Sequence, residues 1–228
     1  MPSKTRVNFE ANAADVSRLL EIHKYFGGDA KGRRFRLEVL NKSAIVLITA
    51  IWEAYCEDLA AEALQHLVKY APNSTVLPKE LKKRIAKELK EDKNEISIWT
   101  LADPGWRTLL IKRLASLAEE RNRKLNTPKA ENIIDLFTIA LGIPNVSLRW
   151  YWKKMSVAQA KAKLDKYVSL RGAIAHRGNS AKSCTRAQVR DYFAHVKRVV
   201  AMTGGTVNSH VASITGRYLW DVVTPVRW

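Results

Sequence analysis

Two side chains with complementary chemistry lie five positions apart in the segment SLRGAIAHRG, residues 169–178. Histidine titrates near neutral pH, so His176 is a candidate for proton transfer. Arginine stays charged and presents a fork of donors that matches phosphate oxygens, so Arg171 is a candidate for stabilising charge on a phosphate. Together these residue types suit chemistry at a phosphate ester that needs no metal ion.

The spacing alone does not bring the two groups together. On a regular helix, five residues correspond to a rotation of about 140°. Arg171 falls on an apolar stripe, where a guanidinium is costly to bury unless it is paired. Either a local distortion at Gly172 or a second copy of the helix would let Arg171 and His176 converge. The stripe is predicted from the spacing of Ala160, Leu164, Tyr167, Val168 and Ala175.

Positive charge surrounds this segment. The chain has 39 Lys and Arg against 22 Asp and Glu, a net charge of +17. Residues 149–198 hold thirteen Lys or Arg against only Asp165 and Asp191, which leaves +11 in this block. Such a block favours a polyanionic partner. The residues we expect to contact nucleic acid are Arg149, Lys153, Lys182, Arg186 and Arg190.

The stretch RWYWKK, residues 149–154, mixes aromatic and basic side chains, as a surface that stacks on RNA bases does. Aromatic residues ahead of a helix more often pack against the core, and that interpretation stays open beside the first.

The hydrophobic pattern is helical almost throughout, and strand alternation is absent. Residues 35–70 lack Gly and Pro and are apolar on nearly every side in the middle, which predicts a long, central, buried helix. A single all-α domain over 1–228 is the simplest interpretation, with a core at about 35–200 and terminal helices packed on it. The other predicted helices cover 8–25, 79–91, 106–123, 126–142, 157–177, 183–205 (closed by the glycines 204 and 205) and a short segment at 207–220.

Several function classes are disfavoured. Cys56 and Cys184 have neither CxxC nor Cys/His spacing, so we expect no disulfide framework, no metal site and no cofactor. The N-terminus does not resemble a signal peptide, and the most apolar run, residues 44–52, is too short to span a bilayer. We therefore expect a cytoplasmic protein without a membrane partner. No short helix-turn-helix stands apart from the core, which disfavours sequence-specific DNA binding.

The R-x4-H motif at the end of an apolar helix, in a small basic all-α chain, resembles the HEPN superfamily of metal-independent RNA nucleases. The long helix with ITAIWEAYCEDLAAEAL, residues 48–64, is similar to the branch called RiboL-PSP-HEPN, found in prokaryotic conflict systems. The resemblance covers about 35–200. It implies a HEPN-like helical bundle, with one long central helix and extra peripheral helices, that forms a homodimer. Arg171 and His176 would then meet their symmetry mates in one composite cleft.

The resemblance implies a toxin or defence endoribonuclease that cleaves by attack of the RNA 2′-OH. Its partners would be RNA, a second copy of the chain, and an antitoxin or other defence-system protein. A polar residue often follows the motif arginine in this family, whereas this chain has Gly172. A non-catalytic HEPN-like module for RNA binding or dimerisation, acting as an antitoxin or regulator, is therefore the alternative.

Three further residues are candidates for supporting roles. Glu53 lies in the most apolar part of the long helix and needs a partner; it either pairs with a buried arginine such as Arg171 or orients Arg171 or His176. Arg177 could hold phosphate or simply be solvated at a helix end. Asn179 could cap that helix or contact RNA.

Overall fold

The computed structural model describes residues 3–28, 37–112, 127–177 and 183–221. These residues form α-helices joined by short turns, with one isolated β-bridge and no strand, so the all-α prediction is confirmed. The helices are α1 (Lys4–Gly27), α2 (Glu38–Tyr70), α3 (Lys79–Lys90), α4 (described over 105–112), α5 (Ala130–Leu141), α6 (Val157–Arg177) and α7 (Arg186–Thr215). Short 3-10 turns cover Ser74–Val76, Glu95–Leu101 and Val146–Arg149.

Helix α2 is the central helix, as predicted. It packs against α1, α5, α6 and α7, and buried side chains from all five helices join one hydrophobic core. The polar groups of its buried middle all have partners. The Thr49 hydroxyl lies 3.0 Å from the Tyr192 hydroxyl, and the Tyr55 hydroxyl donates to the Val200 carbonyl at 3.1 Å. These bonds fix the rotation of α2 relative to α7.

Helix α1 begins at Lys4, so the predicted start at residue 8 is wrong. The Ser3 hydroxyl caps the helix by accepting from the Arg6 backbone N–H at 3.0 Å. The Glu62 carboxylate of α2 accepts from the backbone N–H groups of Lys4 and Thr5 at 3.2 and 3.1 Å. A capping partner 58 residues away leaves no signal in the local sequence.

Helix α7 continues through Gly204 and Gly205, so the predicted end at these glycines and the separate helix at 207–220 are wrong. A Cβ atom on Gly204 would lie 2.7 Å from the Tyr55 hydroxyl oxygen. Gly204 therefore permits close approach of α7 to α2. The glycine that ends α7 is Gly216, in the left-handed conformation with φ of 69°.

No helix in the described part of the chain is both long enough and apolar enough to cross a lipid bilayer.

Candidate functional site

Helix α6 carries both motif residues and is a regular α-helix from Val157 to Arg177. Because it continues through Gly172 without interruption, Arg171 and His176 remain about 140° apart around its axis. Gly172 therefore does not supply the distortion that the sequence left open. A Cβ atom at Gly172 would meet nothing within 4 Å. Convergence through a second copy of the helix stays a prediction.

The buried face of α6 differs from the predicted stripe at one position. Ala160, Leu164, Tyr167 and Val168 are buried, as expected. Ala175 is exposed, and Ile174 is buried in its place. Ile174 lies seven residues after Tyr167, so it continues the row that faces the core, whereas Ala175 is rotated further towards solvent.

Arg171 is half-buried and lies in electrostatic contact with α2 and α7. Burial raises the pKa values of Glu53 on α2 and Tyr192 on α7, and the Arg171 charge opposes this rise in both groups. For Glu53 the net shift is upward nevertheless, to a pKa of about 7, because desolvation and the neighbouring Glu57 carboxylate outweigh Arg171. Glu53 and Arg171 are therefore close enough to interact electrostatically, as the sequence indicated. The pair places a titratable carboxyl beside the motif guanidinium.

His176 lies in the last turn of α6, and its side chain is exposed. An imidazole at this position can be reached by a ligand or by another protein chain. The supporting candidate Asn179 and the nucleic-acid-binding candidate Lys182 lie outside the described residues, as does the side chain of Arg177.

The N-terminal half of α6 is tied to α7 by a polar cluster that the sequence did not predict. The Lys163 ammonium lies 2.6 Å from one Asp191 carboxylate oxygen, and the Tyr167 hydroxyl donates to the other at 2.9 Å. The Tyr167 ring stacks on Tyr192 at 4.3 Å between centroids. Asp191 therefore joins the two helices. The available signal was the rarity of acidic residues in the basic block.

Asp165, the other carboxylate of the basic block, is also structural. It accepts from the Ala130 backbone N–H at 2.8 Å and so caps the N-terminus of α5. Both carboxylates within 149–198 are thus engaged in joining elements of the fold.

His195 is a core histidine. It is 2% exposed, and its Nε2 lies 3.1 Å from the Ala160 carbonyl oxygen. Burial, reinforced by the nearby Lys163 charge, lowers the pKa of His195 to about 4. At neutral pH this imidazole is uncharged and shielded from solvent.

A row of cations follows the solvent side of α7. Arg186 is half-buried and Arg190 is exposed. Lys197, which the sequence did not single out, is exposed and lies seven residues after Arg190, on the same side of the helix. Arg149 and Lys153 are exposed in the segment that precedes α6. We call these five residues the basic face.

The tryptophans of the aromatic–basic stretch pack, as the second interpretation predicted. Trp150 is fully buried, and its indole N–H donates to the Thr203 hydroxyl at 2.9 Å. Trp152 is half-buried against the His195 ring, with 5.5 Å between centroids.

Among the described residues, no group of three or more His, Cys, Asp or Glu side chains is placed to hold a metal ion. In a comparison with known protein families, residues 11–208 match the RiboL-PSP-HEPN family, a longer span than the resemblance over about 35–200. No curated protein and no solved structure matches the chain. Because the match covers most of the sequence, the chain belongs to the RiboL-PSP-HEPN branch of the HEPN superfamily, whose domains act on RNA by binding or cleavage.

Proposed function

We propose that this protein is a metal-independent endoribonuclease of the prokaryotic toxin or defence type, with a composite site at a homodimer interface. The observation that carries the proposal is that the two motif residues lie on different sides of one regular helix. Arg171 is half-buried beside Glu53, whereas His176 is exposed about 140° around the axis. A second α6 related by two-fold symmetry supplies the missing convergence.

In the proposed reaction the RNA provides the nucleophile. One His176 takes the proton of the 2′-OH as the 2′ oxygen attacks the adjacent phosphorus. The bond from phosphorus to the 5′ oxygen breaks, and the leaving oxygen takes up a proton from solvent, to which His176 later returns its own. The products are a 2′,3′-cyclic phosphate and a 5′-hydroxyl. Arg171 stabilises the charge that develops on the non-bridging oxygens.

Glu53 is a positioning residue in this scheme. A carboxyl in a half-buried position beside Arg171 restricts where the guanidinium fork points, which matters because phosphate recognition by arginine is directional. Arg177 and Asn179 lie one and three positions after His176 in the sequence and are proposed to contact the phosphates next to the scissile one.

The basic face, together with Lys182, binds the RNA backbone in this proposal. Phosphate contacts release counterions, so affinity falls steeply as salt rises. Substituting Lys182, Arg186 and Arg190 together weakens binding to all RNA sequences alike. The partner that restrains the activity in the cytoplasm is an antitoxin or another defence-system protein.

A second candidate function is a non-catalytic module for RNA binding or dimerisation. It is supported by Gly172, which follows the motif arginine and places no polar side chain beside it. Because a Cβ atom there has open space, Gly172→Asn introduces a polar group without a steric clash. If the wild-type protein binds RNA without cutting it and the Gly172→Asn variant cuts RNA, the chain is a family member that has lost catalytic activity through Gly172.

The direct test incubates purified protein with RNA in EDTA and identifies the product ends. The endonuclease proposal predicts 2′,3′-cyclic phosphate ends in EDTA and no cleavage of RNA methylated at the 2′ oxygens. Cleavage of the methylated RNA, or a requirement for magnesium, would overturn the mechanism. Binding without any cleavage would select the non-catalytic function.

A further inference from the structure

In the segment between α5 and α6, the Tyr151 ring is exposed to solvent while the tryptophans on either side of it in the sequence pack against the protein. Trp150 is fixed on one side of Tyr151 by its bond to Thr203 and by an edge contact with the Trp52 ring at 5.9 Å. On the other side, Trp152 packs against His195, and the Arg198 guanidinium lies 5.6 Å from its ring centroid. Tyr151 itself remains 61% exposed.

The backbone after Tyr151 is a closed turn. The Trp152 N–H donates to the Met155 carbonyl at 3.0 Å, and the Met155 N–H returns to the Trp152 carbonyl at 2.8 Å. Lys154 takes the left-handed conformation that this turn needs, with φ of 63°. The display of Tyr151 is thus already ordered in the free protein, so little conformational entropy is lost when a ligand contacts it.

Cations flank the ring on both sides in sequence. Arg149, Lys153 and Lys154 are all exposed, and no described carboxylate forms an ion pair with any of them. An exposed phenol among unpaired cations suits a ligand with flat rings and negative charges. Single-stranded nucleic acid combines these two features.

The basic face connects this turn to the motif end of α6. Helices α6 and α7 run in opposite directions, since Ala160 contacts His195 whereas Tyr167 stacks on Tyr192. Arg186, at the start of α7, therefore lies towards the His176 end of α6. From there the cations continue through Arg190 to Lys197, next to the Arg198 that covers Trp152.

We infer that Tyr151 is a stacking platform for an unpaired base of the RNA that the basic face binds, at the end of the face remote from His176. The inference rests on the proposed function, because it extends the RNA path of that site. The twenty residues from Ser156 to His176 rise about 30 Å along α6. That length corresponds to about nine nucleotides at a stacked spacing of about 3.4 Å.

The test measures binding by fluorescence anisotropy with a 16-nucleotide oligouridine, a 4-nucleotide oligouridine and a 16-base-pair RNA duplex. All proteins carry His176→Ala, so that the RNA stays intact. Tyr151→Ala is expected to weaken binding of the 16-nucleotide strand by about 5- to 150-fold, the usual loss of one base–aromatic stack. Tyr151→Phe, which keeps the ring, should bind within about twofold of the parent because stacking needs no hydroxyl. Duplex affinity should not change, since its bases are already stacked.

Tyr218→Ala is the matched control, because this tyrosine is 57% exposed and lies outside the basic block. In proteins with His176 intact, Tyr151→Ala should raise KM for a 16-nucleotide substrate, leave kcat unchanged, and have no effect on the 4-nucleotide substrate. Equal binding by Tyr151→Ala and the parent overturns the inference, as does an equal loss in Tyr151→Phe. If the parent binds no RNA at all, the proposed function fails instead.

Discussion

The two halves of α6 handle charge in opposite ways. In the N-terminal half, Lys163 and Tyr167 both bind Asp191, and the nearby His195 is buried with a pKa lowered to about 4. In the C-terminal half, a carboxyl with a pKa raised to about 7 lies beside Arg171, and the histidine of this half is exposed.

This difference separates stabilising polar groups from groups available for chemistry. The N-terminal cluster resembles the polar contacts that orient helices in many proteins: short distances, complementary charges and a histidine kept neutral. In the C-terminal half, a half-buried cation interacts with a titratable carboxyl of α2, and the exposed imidazole lies on another side of the helix. A carboxyl whose pKa is strongly shifted, next to a charged group, is a common feature of functional sites. On these grounds we propose that the catalytic residues belong to the C-terminal half.

Substituting each of the two histidines in turn tests this proposal, and it is expected to change activity and stability the most. We expect His176→Ala to lower the cleavage rate by about 10²- to 10⁴-fold through loss of proton transfer, with RNA affinity nearly unchanged. His195→Gln should lower the free energy of unfolding by about 1–3 kcal/mol, because a buried hydrogen bond to Ala160 is perturbed, and should leave cleavage per folded dimer intact. Initial rates on labelled RNA and urea unfolding measure the two effects. A wild-type rate in His176→Ala would reverse the assignment.

The two cations of α6 give the next comparison. Arg171→Lys should lower cleavage by about 10²- to 10³-fold, because one ammonium does not reproduce the directional fork. Lys163→Ala should cost at most about 1 kcal/mol of stability, since its partner Asp191 is half exposed, and should not alter the rate. Circular dichroism checks that both variants fold. Equal activity losses in the two variants would show that helix position, rather than phosphate recognition, is what Arg171 supplies.

The pH dependence of stability isolates Glu53. Its pKa rises from 4.5 to about 7 on folding, so the folded protein binds more protons than the unfolded chain between these values. This contribution to stability is present below pH 4.5 and is lost as the pH rises through about 7. Glu53→Gln should therefore be more stable than wild type at pH 8 and should show a flatter pH profile. Urea unfolding at several pH values measures this, with the exposed Glu21→Gln as control. If Glu53→Gln left the pH dependence of the free energy of unfolding unchanged, the Glu53 carboxyl would be solvated in the folded protein.

Two glycine substitutions give the smallest effects. Gly172→Ala should raise stability by about 0.5–1 kcal/mol, since its Cβ atom meets open space within a helix. Gly204→Ala should lower stability by about 1–3 kcal/mol, because its Cβ atom would lie 2.7 Å from the Tyr55 hydroxyl oxygen. Thermal unfolding distinguishes the two directions. A loss of stability in Gly172→Ala would show that the C-terminal half of α6 is more tightly packed than described.

Features with a strong local pattern could be predicted from the sequence. The apolar run of α2 fixes both its length and its central position. A charged group in an apolar stripe needs an opposite charge, and that requirement alone linked Glu53 with Arg171. The RiboL-PSP-HEPN resemblance was carried by these same two helices, and the family match confirms it.

The features that were missed depend on contacts between distant segments. A glycine at position 204 looks the same in the sequence whether it ends a helix or lets another helix approach closely. Only the position of Tyr55 in the fold shows that the second role applies. The start of α1 depends on Glu62, and the Asp191 cluster depends on how α6 is rotated against α7. The roles of Arg171 and His176 stay predictions, because a single chain does not contain the proposed cleft.

Mixing two inactive variants tests the composite site most directly. Arg171→Ala and His176→Ala are purified separately, mixed under conditions that exchange subunits, and assayed for RNA cleavage. In a two-fold symmetric dimer whose sites combine Arg171 of one protomer with His176 of the other, each mixed dimer regains one intact pair. We expect recovery to about one quarter of the wild-type rate, since half of the dimers are mixed and each holds one of two sites. No recovery in a mixture shown to contain mixed dimers would contradict the composite site, as would a concentration-independent monomer of 25.8 kDa in sedimentation.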